Sequence, residues 1–135
     1  MRRLAWSLAF VWVATEAAAQ GLWKQVGTTN VGNPVYVHVR SVTTARDGII
    51  TATVRAVFVK PVKTAAGAIT TSRTIAMFNC AKQVVAVKES WLFFDEAANR
   101  VYEHRKPGLP GYATVIGGSL PAVALKYFCP VKSSS

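Results

Sequence analysis

Ile50, Ala52, Val54, Ala56 and Phe58 occupy every second position of one segment, and Thr51, Thr53 and Arg55 fall between them. A period of two sends successive side chains to opposite faces of an extended chain, so this segment reads as a strand with one apolar and one wetter face. Such a strand needs neighbours for its backbone groups and a second layer over its apolar side. The candidates are close in sequence. Asp47-Gly48 marks a tight turn before it, residues 22–26 alternate around Trp23, and residues 35–39 follow the turn-prone GTTNVGNP. Residues 41–47 read as a polar connection, and residues 60–69, KPVKTAAGAI, read as a mobile loop on their Pro, Gly and small side chains.

Residues 70–93 are again rich in strand formers and break only at 79–83, which predicts a hairpin. In its second arm strict alternation groups Val85, Val87, Trp91 and Phe93 with Glu89 on one face, and Val84, Ala86, Lys88, Ser90 and Leu92 on the other. Trp91, Phe93 and Phe94 are expected to pack as core aromatics against a helix, with Phe94 nearest the surface. A turn at 95–100, a short strand at 101–104 and the rigid loop KPGLPG follow. Gly117-Gly118-Ser119 then opens a helix. Ser119 is its N-cap, Pro121 is tolerated in the first turn, and Leu120, Val123, Ala124, Tyr127 and Phe128 form the apolar stripe before Cys129-Pro130 ends it. The fold class expected is α+β: an antiparallel sheet of about six strands packed with one C-terminal helix.

The amino end has a different character. Arg2 and Arg3 precede a run from position 4 to 14 that is apolar except for Ser7, and Ala17 and Ala19 place small side chains before Gln20. This is the layout of a secretory signal peptide over residues 1–19. As a helix the run would cover only about 16 Å, roughly half a bilayer's hydrocarbon thickness, so it is too short to anchor. The mature chain, residues 20–135, is then long enough for a single domain with a modest core, and its end at 130–135 is expected to fray. No transmembrane segment is expected after the leader is removed. Localisation follows as exported, to the periplasm or the cell surface.

Without its leader the chain carries 14 Lys/Arg against 5 Asp/Glu, a net charge of +9. Such a balance favours anionic surfaces, and in an exported protein these are polyanions and proteins of the envelope or a host matrix rather than nucleic acid. Lys60, Lys63, Arg100, Arg105 and Lys106 are the candidate anion- or partner-binding residues, forming a cationic rim if their loops meet at one end. The two mature cysteines, Cys80 and Cys129, are expected as one disulfide, because an oxidising compartment joins an even pair.

Patterns for chemistry are sparse. His38 and His104 are the only histidines, and adjacent strand residues such as Glu103 and His104 point to opposite faces, so no metal site is expected. There is no G-x-S-x-G elbow, phosphate-binding glycine loop or paired-carboxylate arrangement. The chain is read as non-catalytic, with no cofactor.

Trp23, the stretch Tyr36-Val37-His38-Val39-Arg40-Ser41, Ser72 ahead of Cys80, and Ser119 ahead of Cys129 occur in an order and spacing that resembles the surface-adhesin protein E-like domain family of Gram-negative bacteria. The likeness runs over nearly all of the mature chain. It departs from the family at His38, where an Asp is usual, and in lacking a lipid-anchoring cysteine. The resemblance implies a sheet of about six antiparallel strands backed by a helix. For the family's named member it implies binding of matrix and serum proteins. The function expected is an exported, adhesin-like binding module of the bacterial envelope, contacting proteins or polyanions through a basic surface. The alternative is a small periplasmic accessory protein docked on an envelope complex through a sheet edge; either would be a monomer or weak oligomer. Mass spectrometry of the exported protein should find Gln20 at the amino terminus and a mass about two units below the reduced value. An uncut leader, or two free thiols, would overturn these expectations.

Overall fold

The computed structural model of the protein describes residues 21–130. The expected leader over 1–19, the start at Gln20 and all of the expected tail except Pro130 lie outside the described residues. The chain runs β1 (Trp23–Thr28), β2 (Pro34–His38), a turn of 3-10 helix (Val39–Ser41), β3 (Thr43–Thr44), β4 (Ile50–Thr64), β5 (Gly67–Asn79), β6 (Val84–Asp95), β7 (Arg100–Arg105), β8 (Ala113–Thr114) and α1 (Leu120–Phe128). All strand pairs are antiparallel, in the order β1-β2-β4-β5-β6-β7; the two-residue strands β3 and β8 attach to β4 and β6. The six longer strands are the sheet expected from the sequence, and α1 is the expected C-terminal helix. No helix among the described residues is long and apolar enough to cross a membrane.

The even face of β4 turns towards α1. Val37 of β2, Ala52 and Val54 of β4, Ala76 and Phe78 of β5 and Val85 of β6 join Ala124, Leu125 and Cys129 in one buried cluster. Burial of this aliphatic and aromatic surface is the main term holding helix to sheet. Ser119 caps α1, its Oγ accepting from the Ala122 amide at 3.4 Å, with Pro121 in the first turn where no amide is missed. The stripe is rotated from the one expected: Leu125 is buried with Ala124, while Tyr127 is partly exposed and Lys24 lies over its ring at 5.4 Å. The bond between Cys80, just after β5, and Cys129, at the end of α1, ties the helix end to the sheet across 49 positions.

Two expectations are corrected. Residues 60–69 are not a loop: β4 and β5 continue as a ribbon to the Thr64↔Gly67 pair, leaving Ala65-Ala66 as the turn. Thr64 closes it, donating its hydroxyl to the Gly67 carbonyl at 2.7 Å and accepting from the Ala66 amide at 3.2 Å. Pro61 is accommodated because the ladder is interrupted between Val57 and Val62, so its missing N–H costs no pairing.

The second correction concerns β6. Ile75 pairs with Glu89 but Ala76 pairs with Val87, so Lys88 is an extra residue, a β-bulge. Alternation therefore changes phase at Lys88. Val85 and Val87 stay on the helix side, whereas Glu89, Trp91 and Phe93 lie on the opposite, open face. The expected packing of Trp91 and Phe93 against the helix does not occur. Phe93 is nevertheless fully buried, at 0 % exposure, alongside the nearly buried Ile69 and Thr71. Further register shifts in the β6–β7 pairing, on either side of Phe93, bend this hairpin over the open face and close a small second core there. Phe94 packs edge-on to Tyr102 and close over Gly67.

β1 meets the helix with little clearance. A Cβ on Gly27 would lie 2.6 Å from the Val123 methyl, closer than two carbon atoms can rest. Gly27→Ala should lower the denaturant midpoint by the equivalent of about 2 kcal/mol, and Val123→Ala in the same chain should recover part of it; simple additivity in this double-mutant cycle would overturn the contact.

Candidate functional site

The open face is assembled from one row of residues, one from each of the six longer strands: Gln25↔Tyr36↔Arg55↔Arg73↔Trp91↔His104. Each pair is directly opposite in the ladder, so the side chains stand side by side. Trp23 and His38 extend the row on β1 and β2, their rings edge to face at 5.0 Å. His38 thus presents an imidazole packed on a tryptophan.

Arg55 and Arg73 are like charges on adjacent strands, an arrangement that repels. Two kinds of contact offset it. The guanidinium of Arg55 lies 5.4 Å from the centre of the Trp23 ring and 5.7 Å from that of Tyr36, and that of Arg73 lies between Trp91 and Phe93 at 4.8 and 4.9 Å. Glu96 then places one carboxylate against both cations: Oε2 is 3.0 Å from Arg55 Nε, out of line for a hydrogen bond, and Oε1 is 3.8 Å from a terminal nitrogen of Arg73. On a straight strand Glu96 would lie about 16 Å along from Trp91. It reaches the arginines because the β6–β7 hairpin curls. At the far side of the row, His104 stacks flat on Trp91 at 4.9 Å, and its Nε2 meets Glu89 Oε1 at 2.7 Å.

A cleft of about 330 Å³ opens between the two tryptophans, lined by Trp23, His38, Arg73, Ile75 and Trp91. Ser41 and Thr53 complete its wall. The Ser41 hydroxyl donates to the His38 carbonyl at 2.7 Å and accepts from the Thr53 amide at 2.9 Å, which pins the 3-10 turn to β4 and sets where His38 stands. His38 Nδ1 is buried and meets no hydrogen-bond partner among the described residues.

The rim residues separate into two places. Lys60 and Lys63 on the β4–β5 ribbon and Arg100 at the start of β7 come to the same end of the sheet, beside the exposed Val59 and Val62. Arg100 lies over the Phe94 ring at 5.9 Å. Arg105 and Lys106 are at the other end of β7, and Arg105 is engaged by Glu103 through Nε at 2.6 Å. The five candidate rim residues thus do not form one rim, and the inner row of the open face contains none of them. Arg55 and Arg73 sit in strands where a charged residue reads as a solvated one, and only the β4–β5 register shows that they are neighbours.

Among the described residues no three His, Cys, Asp or Glu side chains converge as a metal site would require. The chain has no significant match to any family model, any curated protein or any solved structure.

If Glu96 holds the two arginines together, Glu96→Gln should destabilise the fold by about 1 kcal/mol, as should Arg55→Met. A urea-unfolding cycle over both positions should return a coupling of the same order. Coupling near zero would show the ion pair to be energetically idle.

Proposed function

We propose that the protein is an exported, non-catalytic binding module of the bacterial envelope, adhesin-like in the sense of the family it resembles, that engages acidic proteins or polyanions through its cationic surface. The observation that carries this reading is where the negative charge goes. Glu96 and Glu103 are each held by arginines of the same chain, Arg55 with Arg73 and Arg105, and Glu89 meets the His104 ring nitrogen at 2.7 Å. Lys60, Lys63 and Arg100 gather at one end of the sheet and meet no carboxylate within ion-pair distance among the described residues.

This end also carries Val59 and Val62, at 58 % and 51 % exposure, beside the lysines. Exposed apolar side chains among cations suit a partner that offers both acidic groups and some apolar contact, which a protein does more fully than a glycan. The accessory-protein reading draws support from β7, which among the described residues pairs only with β6, so that its outer edge has no strand partner there.

The two readings differ in their response to salt. Binding of the mature protein to immobilised heparin or to acidic matrix proteins should weaken steeply as ionic strength rises, and the triple charge reversal Lys60→Glu, Lys63→Glu, Arg100→Glu should cost roughly tenfold or more in affinity. Binding indifferent to both would remove the cationic end from the function and favour pairing along the β7 edge.

A further inference from the structure

We propose that the open-face cleft between Trp23 and Trp91 is a ligand site for a carboxylate carried on a compact apolar frame, with Arg73 as its anion anchor. This site is separate from the cationic end formed by Lys60, Lys63 and Arg100, and it does not depend on what that end binds.

Size comes first. At about 330 Å³ the cleft is at the small end of ligand sites, enough for one ring or one branched side chain and its charged group. Its lining is mostly apolar, with Ile75 and the two tryptophans, and its charge comes from Arg73 alone.

Arg73 is suited to the anchoring role. Contact with the Trp91 and Phe93 rings, at 4.8 and 4.9 Å, restricts where its guanidinium can stand, so less freedom is lost when it meets an anion. Its nearest carboxylate, Glu96, stands 3.8 Å away and makes its closer approach to Arg55. Two arginines thus share one acid, and the side chain of Arg73 remains 32 % exposed. A second carboxylate at Arg73 completes the charge balance of the row and relieves the repulsion between the two cations. His38 lines the same cleft as an aromatic wall, packed edge to face on Trp23. Ser41 acts only as a positioning residue, since its hydroxyl already donates to His38 and accepts from Thr53.

The geometry also selects against two other ligand chemistries. A sugar would need an open aromatic face to stack on, but Arg73 covers Trp91 from the β5 side, His104 covers it from the β7 side, and Arg55 lies over Trp23. A phosphate or sulfate would place further charged oxygens against Ile75 and the indoles, where there is no cation to meet them. One carboxylate on an apolar frame fits both the single anchor and the dry walls. Its source can be a free organic acid or the terminal carboxylate of a peptide chain ending in an apolar residue.

The mature chain contains two tryptophans, Trp23 and Trp91, since the other two, Trp6 and Trp12, are in the leader. Both line the cleft, so intrinsic fluorescence of the leader-free protein reports on this site. Titration with phenylacetate, and separately with a short peptide ending in phenylalanine, should give a saturable change in emission. Phenylacetamide and the C-terminally amidated peptide should give none. Response to the free acid alone assigns a small-molecule ligand, and response to the peptide assigns a chain terminus. Arg73→Gln should weaken binding roughly tenfold or more. Because that change also disturbs the row, Ile75→Phe serves as a second variant: it fills the cleft, leaves every charge in place and should abolish the response while the thermal unfolding curve shows the fold intact. The triple reversal at Lys60, Lys63 and Arg100 should leave the titration unchanged, which separates this site from the cationic end. Equal response to acid and amide, equal competition by inorganic phosphate, no saturable response, or wild-type binding by a folded Ile75→Phe protein would each overturn the proposal.

Discussion

Arg55 stands opposite Arg73, and on the reverse side of the same two strands Ala52 stands opposite Ala76. Both facts express one register, and the rest of the molecule depends on it. A slip of one residue between β4 and β5 would turn Thr51, Thr53 and Arg55 towards the helix and lift Ala52, Val54 and Ala56 into solvent. Burying a guanidinium under α1 would cost several kcal/mol, while exposing the aliphatic face would forfeit the burial that holds the helix. The disulfide supports the same choice from the other end. Joining Cys80 to Cys129 across 49 positions restricts the unfolded chain by about 4 kcal/mol on the entropic model, and it fixes the end of β5 relative to the end of α1. The helix can cover the sheet only with the aliphatic face of β4 and β5 turned towards it.

The parts of the fold legible from the residues alone were those set by local chemistry. Period two marked β4, Asp47-Gly48 marked the turn before it, and Ser119 with Pro121 marked the start of α1. Composition misled at residues 60–69, where Pro61 and Gly67 suggested a loop. Pro61 falls in a break of the ladder and Gly67, with φ at +139°, supplies the turn, so both serve the ribbon instead of ending it. The inner row of the open face was not legible, because it is a product of pairing. No local pattern tells that Tyr36, Arg55, Arg73, Trp91 and His104 are neighbours, since they come from five strands and their adjacency is fixed only by register.

The bulge at Lys88 shows how one residue can redirect a site. Without it, strict alternation would keep Trp91 and Phe93 in phase with Val85 and send them beneath the helix, where the space is already filled by Phe78, Leu125 and their neighbours. With it, the first half of β6 serves the helix-side core and the second half serves the open face. Bulges re-aim side chains in this way and increase local twist. The shifts that follow in the β6–β7 pairing continue the bend until Glu96 reaches the arginines. Phe93 is buried on a face that would otherwise be wet, and this second core gives the curled hairpin a reason to stay closed.

The open face and the cationic end therefore make different physical demands. At the end of the sheet, Lys60, Lys63 and Arg100 are exposed charges on flexible stems, whose attraction to an anion is long-ranged and weakened by salt. In the row, Arg55 and Arg73 are held by aromatic rings and share a carboxylate, so their attraction is short-ranged and directional. The first arrangement suits a large acidic surface and would not specify it closely. The second suits a small group that matches it in shape and charge, because ring contacts and the shared carboxylate already restrict both arginines. Both sets hang on the same strands: β4 and β5 carry the arginines at their centre and, at the far end of their ribbon, the lysines. Residues 20–135 carry five acidic side chains, and three of them, Glu89, Glu96 and Glu103, are engaged on or beside the open face, while Asp95, opposite Arg100 in the ladder, turns its carboxylate to the Ala98 amide.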